Sequence, residues 1–458
     1  MRGPVLRSPR RYLLGWSDPG SSRSGERVVG VAGAAGRCEF RKGEAIVFPS
    51  ARGGDGAAGF LQLEGVGLGC AGAMKQAAKY LSGELRSVYE KACAGERITE
   101  AEALGLYGSA DLNGLGVIAD TVRERLNGNV ATYIHNQYVN YSNVCLLSCQ
   151  FCAFGAKKRE AHAFELSIAE IVEKVRGGLA TGITEVHMVG GLHPSLPGEW
   201  YLELLGAMRA LSPELFLKAF TAVEIRHLAF RVFKESVRET LERLRAAGLG
   251  AITGGGAEIF DPAVRDQICR GKETAEEWLE VHRTWHEMGM RSTATMLFGH
   301  IETAAQRVDH LRRLRELQDE TGGFTAFIPF AFEPDGARPQ LRGMRHASAA
   351  ESLRNLAVSR IYLDNFPHLT GYWVSLGLPL ASVALSYGVD DLHGTIKEEK
   401  IFHMAGSQTP QQQTVRALRK AIREAGREPR QRDTWYRLVD EADAVTGDGH
   451  AAGAESVA

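Results

Sequence analysis

Between residues 132 and 396 the chain repeats one unit, a short run of β-forming residues followed by a segment with helical periodicity. Most of these runs are continuously apolar, which is typical of parallel strands that helices cover on both faces. The predicted strands are TYIHNQYVNYSNV (132–144), EVHMV (185–189), LFLKAF (215–220), GLGAIT (248–253), TATMLF (293–298), FTAFIPF (324–330), HLTGYWV (368–374) and a short element at 389–396. About eight serial units favour a closed barrel, so we predict an α/β fold, a (βα)8-type TIM barrel with N-terminal and C-terminal helical extensions.

Capping signals mark the starts of several helices. A hydroxyl residue stands three positions before Glu or Gln at Thr99, Ser167, Thr274 and Thr303, which is the pattern of a capping box. Further helices are predicted at 74–94, 111–127, 199–211, 234–247, 348–364, 377–387, 412–425 and 433–442.

The barrel pattern occupies only part of the 458 residues. Residues 1–73 are rich in Gly and Arg and lack a sustained period, so we predict a disordered extension or a leader translated from a misassigned start, with Met74 as the natural first residue. An Arg-rich, acid-poor start also fits a transit peptide. The remaining predicted regions are a helical extension over 74–130, the barrel over 131–400, a C-terminal helical segment over 401–444 and a disordered tail over 445–458.

Composition narrows the class of protein. Lys and Arg number 54 against 55 Asp and Glu, a net charge of −1, which is no electrostatic match for a nucleic-acid backbone. The apolar runs are far shorter than the roughly 18 residues of a membrane-spanning helix. Seven cysteines argue against a disulfide-stapled secreted protein. We therefore predict a cytoplasmic enzyme with no nucleic-acid or membrane partner.

Three of the cysteines form a cluster, Cys145, Cys149 and Cys152, with C-x3-C-x2-C spacing. A structural zinc site would need a fourth ligand at similar spacing, and the pair His282 and His286 is expected to pack within its helix instead. Three thiolates without a fourth suit a four-iron cluster with one iron open to a ligand. The loop follows the first predicted strand, at the barrel rim where catalytic groups collect.

The C-x3-C-x-Phe-C pattern is the signature of the radical S-adenosylmethionine superfamily, which this chain resembles. The resemblance implies a [4Fe-4S] cluster on the three cysteines and S-adenosylmethionine chelated to the fourth iron and consumed as co-substrate. It also implies cofactor contacts near the adenine for Phe151 and for Gly299 within MLFGHIE (296–302), and a sixth-strand contact for Ile328. Gly190 and Gly191 would meet the methionyl amine, and Thr221 and Glu224 the ribose.

Within the superfamily the chain resembles the group of aminofutalosine synthases, dehypoxanthine futalosine cyclases and deazaflavin-cofactor synthases. Group-wide segments are VGGLHPSLP (189–197), GGGAEIF (254–260), ATMLFGHIET (294–303) and LRELQDETGGFTAFIP (314–329). KAFTAVEI (218–225), DDLHGT (390–395) and EEKIFHMAGSQTPQ (398–411) are similar to the aminofutalosine synthases in particular. AFGAKK (153–158) departs from the aromatic-Tyr-Arg run expected after the third cysteine.

The resemblance implies a reaction on the futalosine route to menaquinone. The adenosyl radical would add to 3-[(1-carboxyvinyl)oxy]benzoate, a dicarboxylate enol ether, with rearrangement and decarboxylation to 6-amino-6-deoxyfutalosine. An external one-electron reductant of flavodoxin or ferredoxin type is implied as partner. Two alternatives stay open, the cyclase of the same pathway and a non-catalytic metal-binding barrel protein.

A dicarboxylate needs cationic or N–H partners. His193 is the catalytic candidate at the rim, with a turn-stabilising role as the alternative. Lys218 is predicted to face the helical layer, because strand side chains alternate and it lies three residues before Thr221. Two roles are open for Asp390 and Asp391, which either orient the product's hydroxyls or close the barrel. The glycines at 254–256 either allow the backbone to approach the substrate closely or turn the chain.

Overall fold

The computed structural model describes residues 81–439, so the predictions for 1–73, for 445–458 and for the ends of the neighbouring segments lie outside the described residues. The helices are α1 (Gly83–Ala94), α2 (Glu100–Gly108), α3 (Leu112–Asn127), α4 (Ile168–Leu179), α5 (Gly198–Arg209), α6 (Ala222–His227), α7 (Val237–Ala246), α8 (Pro262–Ile268), α9 (Ala275–Glu287), α10 (Ala304–Thr321), α11 (Ala349–Tyr362), α12 (Trp373–Leu376), α13 (Leu378–Ala384), α14 (Ile401–Met404) and α15 (Val415–Glu424). The strands are β1 (Val130–Ile134), β2 (Asn136–Val139), β3 (Glu185–Met188), β4 (Phe216–Ala219), β5 (Ala251–Ile252), β6 (Arg291–Phe298), β7 (Phe324–Ala331), β8 (His368–Leu369), β9 (Asp391–Gly394) and β10 (Glu428–Gln431). No helix in this range is long and apolar enough to cross a membrane.

The strands form a parallel barrel, as the serial pattern predicts. β2 to β8 lie side by side in chain order, and every pair is parallel. A single residue, His135, separates β1 from β2, so the two are halves of the first barrel strand. β9 pairs with β1, and a parallel bridge between Thr370 and Asp391 joins it to the end of β8. The ladder therefore returns to its starting strand, which confirms the predicted fold class.

Asp391 decides how the barrel closes. Its carboxylate accepts hydrogen bonds from Thr132 Oγ1 of β1 (2.8 Å) and from Thr370 Oγ1 beside β8 (2.9 Å). Arg432, just after β10, donates to it through Nε (2.6 Å) and Nη2 (3.1 Å), and both side chains are buried. Asp390 binds Arg360 and His368 instead. Of the two roles left open for Asp391, closing the barrel is the one observed.

The helix predicted over 433–442 is not found in its described part. Residues 433–439 form a turn, with an antiparallel bridge between Arg432 and Leu438. The Asp433 carboxylate accepts from the backbone N–H of Trp435 and of Arg437, both at 2.9 Å. Tyr436 has φ +65° and stacks on the His368 ring at 4.4 Å. These contacts hold the segment against the barrel and override its helical pattern.

The predicted helix starts are confirmed by observed capping boxes at Thr99, Ser167, Thr274 and Thr303. His282 and His286 pack as expected, because both rings bind the Ser292 hydroxyl, at 2.8 and 2.7 Å. The predicted strand over 368–374 is shorter than expected, since only His368–Leu369 is extended and Trp373 begins α12.

Candidate active site

A cavity of about 270 Å³ opens among the carboxyl ends of the barrel strands. Most of the predicted site residues line it: Cys145, Cys149, Phe151, Cys152, Gly190, Gly191, Thr221, Glu224 and Ile328. The three glycines at 254–256 line it as well. Parallel barrels collect functional groups at this end, so the strand topology itself brings these distant segments together.

The cysteine loop is held at the rim by its own backbone. Cys145 N–H donates to the Ala156 carbonyl and Ala156 N–H to the Asn143 carbonyl, both at 2.8 Å, which folds the loop back on itself. The backbone N–H of Gly155 donates to Cys152 Sγ at 3.3 Å. The ends of the loop are thereby fixed, and one sulfur already has a donor that favours its thiolate form.

Lys157 caps the same loop from the segment where the sequence departs from its family pattern. Its Nζ donates to the carbonyls of Cys145 (3.0 Å), Leu146 (2.8 Å) and Leu147 (2.8 Å). An ammonium has three donors, and here all three are used on consecutive residues. Lys157 is therefore a positioning residue for the cysteine loop.

We expect Lys157→Met to loosen that loop. Losing the charged donor should raise the rate at which a chelator strips iron from the reconstituted protein about tenfold, since hydrogen bonds to charged groups contribute roughly 1.5–3 kcal/mol. Lys158→Met is the matched control, because Lys158 is the exposed next residue. Equal rates of iron loss in the two variants would contradict the role assigned to Lys157.

The sulfurs fit a cluster better than a single ion. Ligands of one tetrahedral zinc lie about 4 Å apart. Among the described residues the one group of three ligand atoms all within 4.8 Å is Glu333, Asp335 and His346, and the three cysteines do not form such a group. Burial raises the pKa of the Cys149 and Cys152 thiols, so their thiolates need a cationic centre beside them. Cysteines that ligate different irons of one cluster meet both conditions.

Gly190 and Gly191 are required by close packing. A Cβ on Gly190 would lie 2.4 Å from the Tyr141 ring, and one on Gly191 would lie 2.4 Å from the Val144 carbonyl oxygen. The backbone after β3 thus lies against the start of the cysteine loop and lines the cavity, with both glycine N–H groups bonded within the protein. This is where a methionyl amine would find backbone acceptors.

Glu224 is saturated with donors from the protein. One oxygen accepts from Tyr141 OH (2.8 Å) and from Gly190 N–H (3.0 Å). The other accepts from Thr221 N–H (2.8 Å) and Thr221 Oγ1 (2.9 Å) in a capping box. Burial raises the pKa of Glu224 although these bonds oppose the shift. The carboxylate therefore ties the ends of the first three barrel strands together at the cavity wall.

Two predicted site residues are placed elsewhere. His193 is not among the described residues that line the cavity; its Nδ1 accepts from Ser195 N–H (3.2 Å) and Leu196 N–H (3.0 Å), and its Nε2 lies 2.7 Å from Glu165. It has the turn-stabilising role, and its catalytic assignment is corrected. Gly299 is also not among the lining residues. Its φ is +88° and its N–H binds Glu302, which makes it a turn residue.

The prediction that Lys218 faces the helical layer is wrong. Phe220 has φ +62°, which breaks the strand alternation, so Lys218 and Thr221 lie on the same side. Lys218 is Cα partner to His187 and feels the charges of Glu185, Arg432 and Asp391 inside the barrel. The signal for this polar interior was present in Glu185 and His187, which alternate on a buried strand.

Lys272 and Glu258 also line the cavity; Glu258 lies within the group-wide segment GGGAEIF, and Lys272 lies outside the segments that carry the resemblance. Lys272 Nζ pairs with the Glu258 carboxylate and lies 5.6 Å from the centroid of the Phe151 ring. Glu258 has φ +45°, so it stands on a strained turn after β5 that periodicity does not reveal. The pair adds a charge-neutral wall beside the cysteine loop.

Residues 139–314 match the radical SAM superfamily, and residues 321–445 match the CofH/MqnC C-terminal region. The chain belongs to the radical SAM superfamily, whose cofactors are a [4Fe-4S] cluster and S-adenosylmethionine, and it is an enzyme of that type. The alternative hypothesis, that the chain is a non-catalytic metal-binding barrel protein, is therefore wrong.

Comparison with individual relatives shows which enzymes of the superfamily the chain is most similar to among those compared. The chain is 46% identical to the aminodeoxyfutalosine synthase of Thermus thermophilus, over 78% of this chain and 96% of that protein. It is 39% identical to the cyclic dehypoxanthine futalosine synthase of Streptomyces coelicolor, over 77% and 88% of the two chains. The FeFe-hydrogenase maturase HydG from Carboxydothermus hydrogenoformans superposes with a TM-score of 0.62 over 80% of this chain and 84% of its own, at 17% identity, which concerns the fold alone. The resemblance found in the sequence is confirmed.

Proposed function

We propose that this chain catalyses the aminodeoxyfutalosine synthase reaction. It transfers the adenosyl group of S-adenosylmethionine to 3-[(1-carboxyvinyl)oxy]benzoate, with rearrangement and loss of carbon dioxide, to give 6-amino-6-deoxyfutalosine for menaquinone synthesis. The observation that carries the proposal is the 46% identity to a synthase across 96% of its length. The lower identity to the cyclase, 39%, favours addition over hydrogen abstraction.

The chain's own residues divide the work of binding. Cys145, Cys149 and Cys152 hold the cluster, and the backbone at Gly190 and Gly191 accepts from the methionyl amine. Phe151, Thr221 and Ile328 border the space for the adenosyl group, while Glu224 keeps Gly190 in place. When bound, the cluster supplies the electron that cleaves S-adenosylmethionine to methionine and a 5'-deoxyadenosyl radical.

The cavity wall keeps water from the reacting groups. Leu192, Leu297, Ile328 and Phe332 line it and are each less than a tenth exposed. Apolar walls of this kind protect a reactive intermediate from side reactions. The addition to the substrate and its rearrangement therefore take place inside the barrel, between these apolar side chains.

The electron must come from outside the chain. The four other cysteines, Cys38, Cys70, Cys93 and Cys269, are isolated in the sequence and form no second cluster motif. We assign a small-molecule dicarboxylate enol ether as substrate, and a one-electron donor of flavodoxin or ferredoxin type as partner.

The test is product analysis under anaerobic conditions. We expect reconstituted, dithionite-reduced protein with S-adenosylmethionine and 3-[(1-carboxyvinyl)oxy]benzoate to form a compound with the mass of 6-amino-6-deoxyfutalosine. Carbon dioxide should be released in equal amount. Cys145→Ala, which lacks one cluster ligand, is the control and should form none.

A second incubation with dehypoxanthine futalosine separates the two pathway enzymes. Conversion of that compound with release of free 5'-deoxyadenosine, and no adduct from the enol ether, would contradict the synthase and support the cyclase.

A further inference from the structure

The cavity has a polar floor inside the barrel, one layer below the cofactor wall. Tyr138, His187 and Lys218 are Cα partners across β2, β3 and β4, so they form one layer of side chains. Asn136 and Glu185 form the next layer down and hydrogen bond to each other at 2.9 Å. Tyr138, His187 and His393 line the cavity directly, whereas Lys218, the Cα partner of His187, is not among the described residues that line it. The floor therefore faces the cavity on one side and a paired polar layer on the other.

Lys218 is a buried cation without a bonded partner. Its residue is 4% exposed, and no described residue accepts a hydrogen bond from its Nζ or places a carboxylate within 4.0 Å. Of the nearby carboxylates, Asp391 is engaged by Arg432, and Glu185 lies in the layer below. Burial lowers the pKa of Lys218, while the charge of Glu185 opposes the shift. An ammonium in this position gains most from an anion that enters from the cavity.

Two histidines beside Lys218 also have unused nitrogens. The Nδ1 atoms of His187 and His393 are buried and have no hydrogen-bond partner among the described residues. Both rings feel the charge of Lys218, and burial lowers the pKa of each well below its usual value. They are therefore neutral near pH 7, and each carries one N–H donor.

The position of His393 is built with strained backbone. Its φ is +62°, and its N–H donates to Asp391 at 2.9 Å, which holds this conformation. Its Nε2 meets Tyr138 OH at 3.2 Å, and Tyr138 stacks on His187 at 4.3 Å. Strain in a residue other than glycine persists where the surroundings enforce it, and such residues cluster at ligand sites.

We propose that His187 and His393 bind the ring carboxylate of the substrate at the cavity floor, and that the Lys218 ammonium beside His187 supplies its counter-charge. This inference rests on the proposed function, which supplies a benzoate with a second, reacting carboxylate. His187 lies in β3 three residues before Gly190, and three residues of extended chain span at most about 10 Å. The alkene end then lies at the cofactor wall and the benzoate end on the floor. The ring carboxylate then accepts from the neutral rings of His187 and His393 and lies near the Lys218 cation.

The test measures binding without turnover. The probe is 3-hydroxybenzoate, bound to reconstituted protein with S-adenosylmethionine and no reductant, and 3-hydroxybenzamide is its neutral counterpart. We expect the wild type to bind the benzoate at least tenfold more tightly than the benzamide. Lys218→Met should weaken benzoate binding about 10- to 100-fold and leave benzamide binding within threefold, as expected for a lost charged contact.

A second variant, His187→Phe, tests the pocket even if Lys218→Met does not fold. His187→Phe preserves the stack on Tyr138 and removes the ring nitrogens, and it should weaken benzoate binding about fivefold or more. Lys420→Met, at a surface lysine with a side chain 72% exposed, should bind as the wild type does.

Wild-type affinity for benzoate in both Lys218→Met and His187→Phe would overturn the pocket, as would equal wild-type affinity for benzoate and benzamide. Product formation by the wild type is measured separately. Turnover with unchanged binding in both variants overturns the pocket and leaves the synthase proposal standing. Charge-dependent benzoate binding without any adduct overturns the synthase proposal and supports the pocket as a carboxylate site.

Discussion

Cys152→Ala should abolish both the cluster and the activity. The reconstituted wild type should hold about four irons per chain with a broad visible absorption, and the variant should hold less than about one with no such absorption. The physical reason is that three thiolates form the whole protein ligand set, so loss of one leaves a second iron without a protein ligand. Product formation should fall below detection, at least about a thousandfold, because the cluster supplies the electron.

Cys269→Ala is the sharp control for this experiment. Cys269 is buried just after α8, and the cysteine loop lies against that helix through the bond from Gln150 N–H to the Ile268 carbonyl at 2.7 Å. It is thus a neighbouring thiol that the motif excludes. Iron content and colour should persist in Cys269→Ala, and their loss there would contradict the three-cysteine assignment.

The second large effect concerns barrel closure. Arg432→Met should lower the free energy of unfolding by about 3–5 kcal/mol, the usual cost of leaving one member of a buried ion pair alone. Asp391 would keep its hydroxyl donors but lose its cation at the seam between the last and first strands. Denaturant unfolding followed by circular dichroism measures the change.

Two variants show that the effect belongs to the buried pair. Arg270→Met removes an exposed ion pair, with a side chain 79% exposed, and should change the unfolding free energy by less than about 0.5 kcal/mol. The double variant Asp391→Asn with Arg432→Met should recover part of the loss, because no lone charge then remains buried. A loss in Arg432→Met no larger than in Arg270→Met would show that the seam does not depend on this pair.

Local sequence patterns account for much of the fold. The order of strands and helices, the capping boxes and the cysteine loop all follow from interactions within a few residues of the chain. The site was predictable to the same extent: nine of the predicted residues line one cavity, because parallel strands bring their carboxyl ends together.

The errors came where side-chain direction depends on distant contacts. Lys218 faces the barrel interior because a left-handed Phe220 breaks the alternation, and nothing in the local pattern marks that residue. His193 is not among the described residues that line the cavity, and its Nδ1 accepts from two backbone N–H groups of its own loop. The segment after Arg432 follows its contacts with His368 and the barrel seam, and not its helical period.

The sequence by itself therefore determined the barrel and the family and predicted the three cluster ligands, since these rest on periodicity and on short motifs. Only the tertiary structure decided which polar residues face the cavity, what closes the barrel and where the ring carboxylate of the substrate could bind. The reason is that Asp391 with Arg432, and Lys218 with His187 and His393, meet across strands far apart in the chain. Their geometry is set by strand register and by strained backbone at Phe220 and His393, which no local pattern encodes.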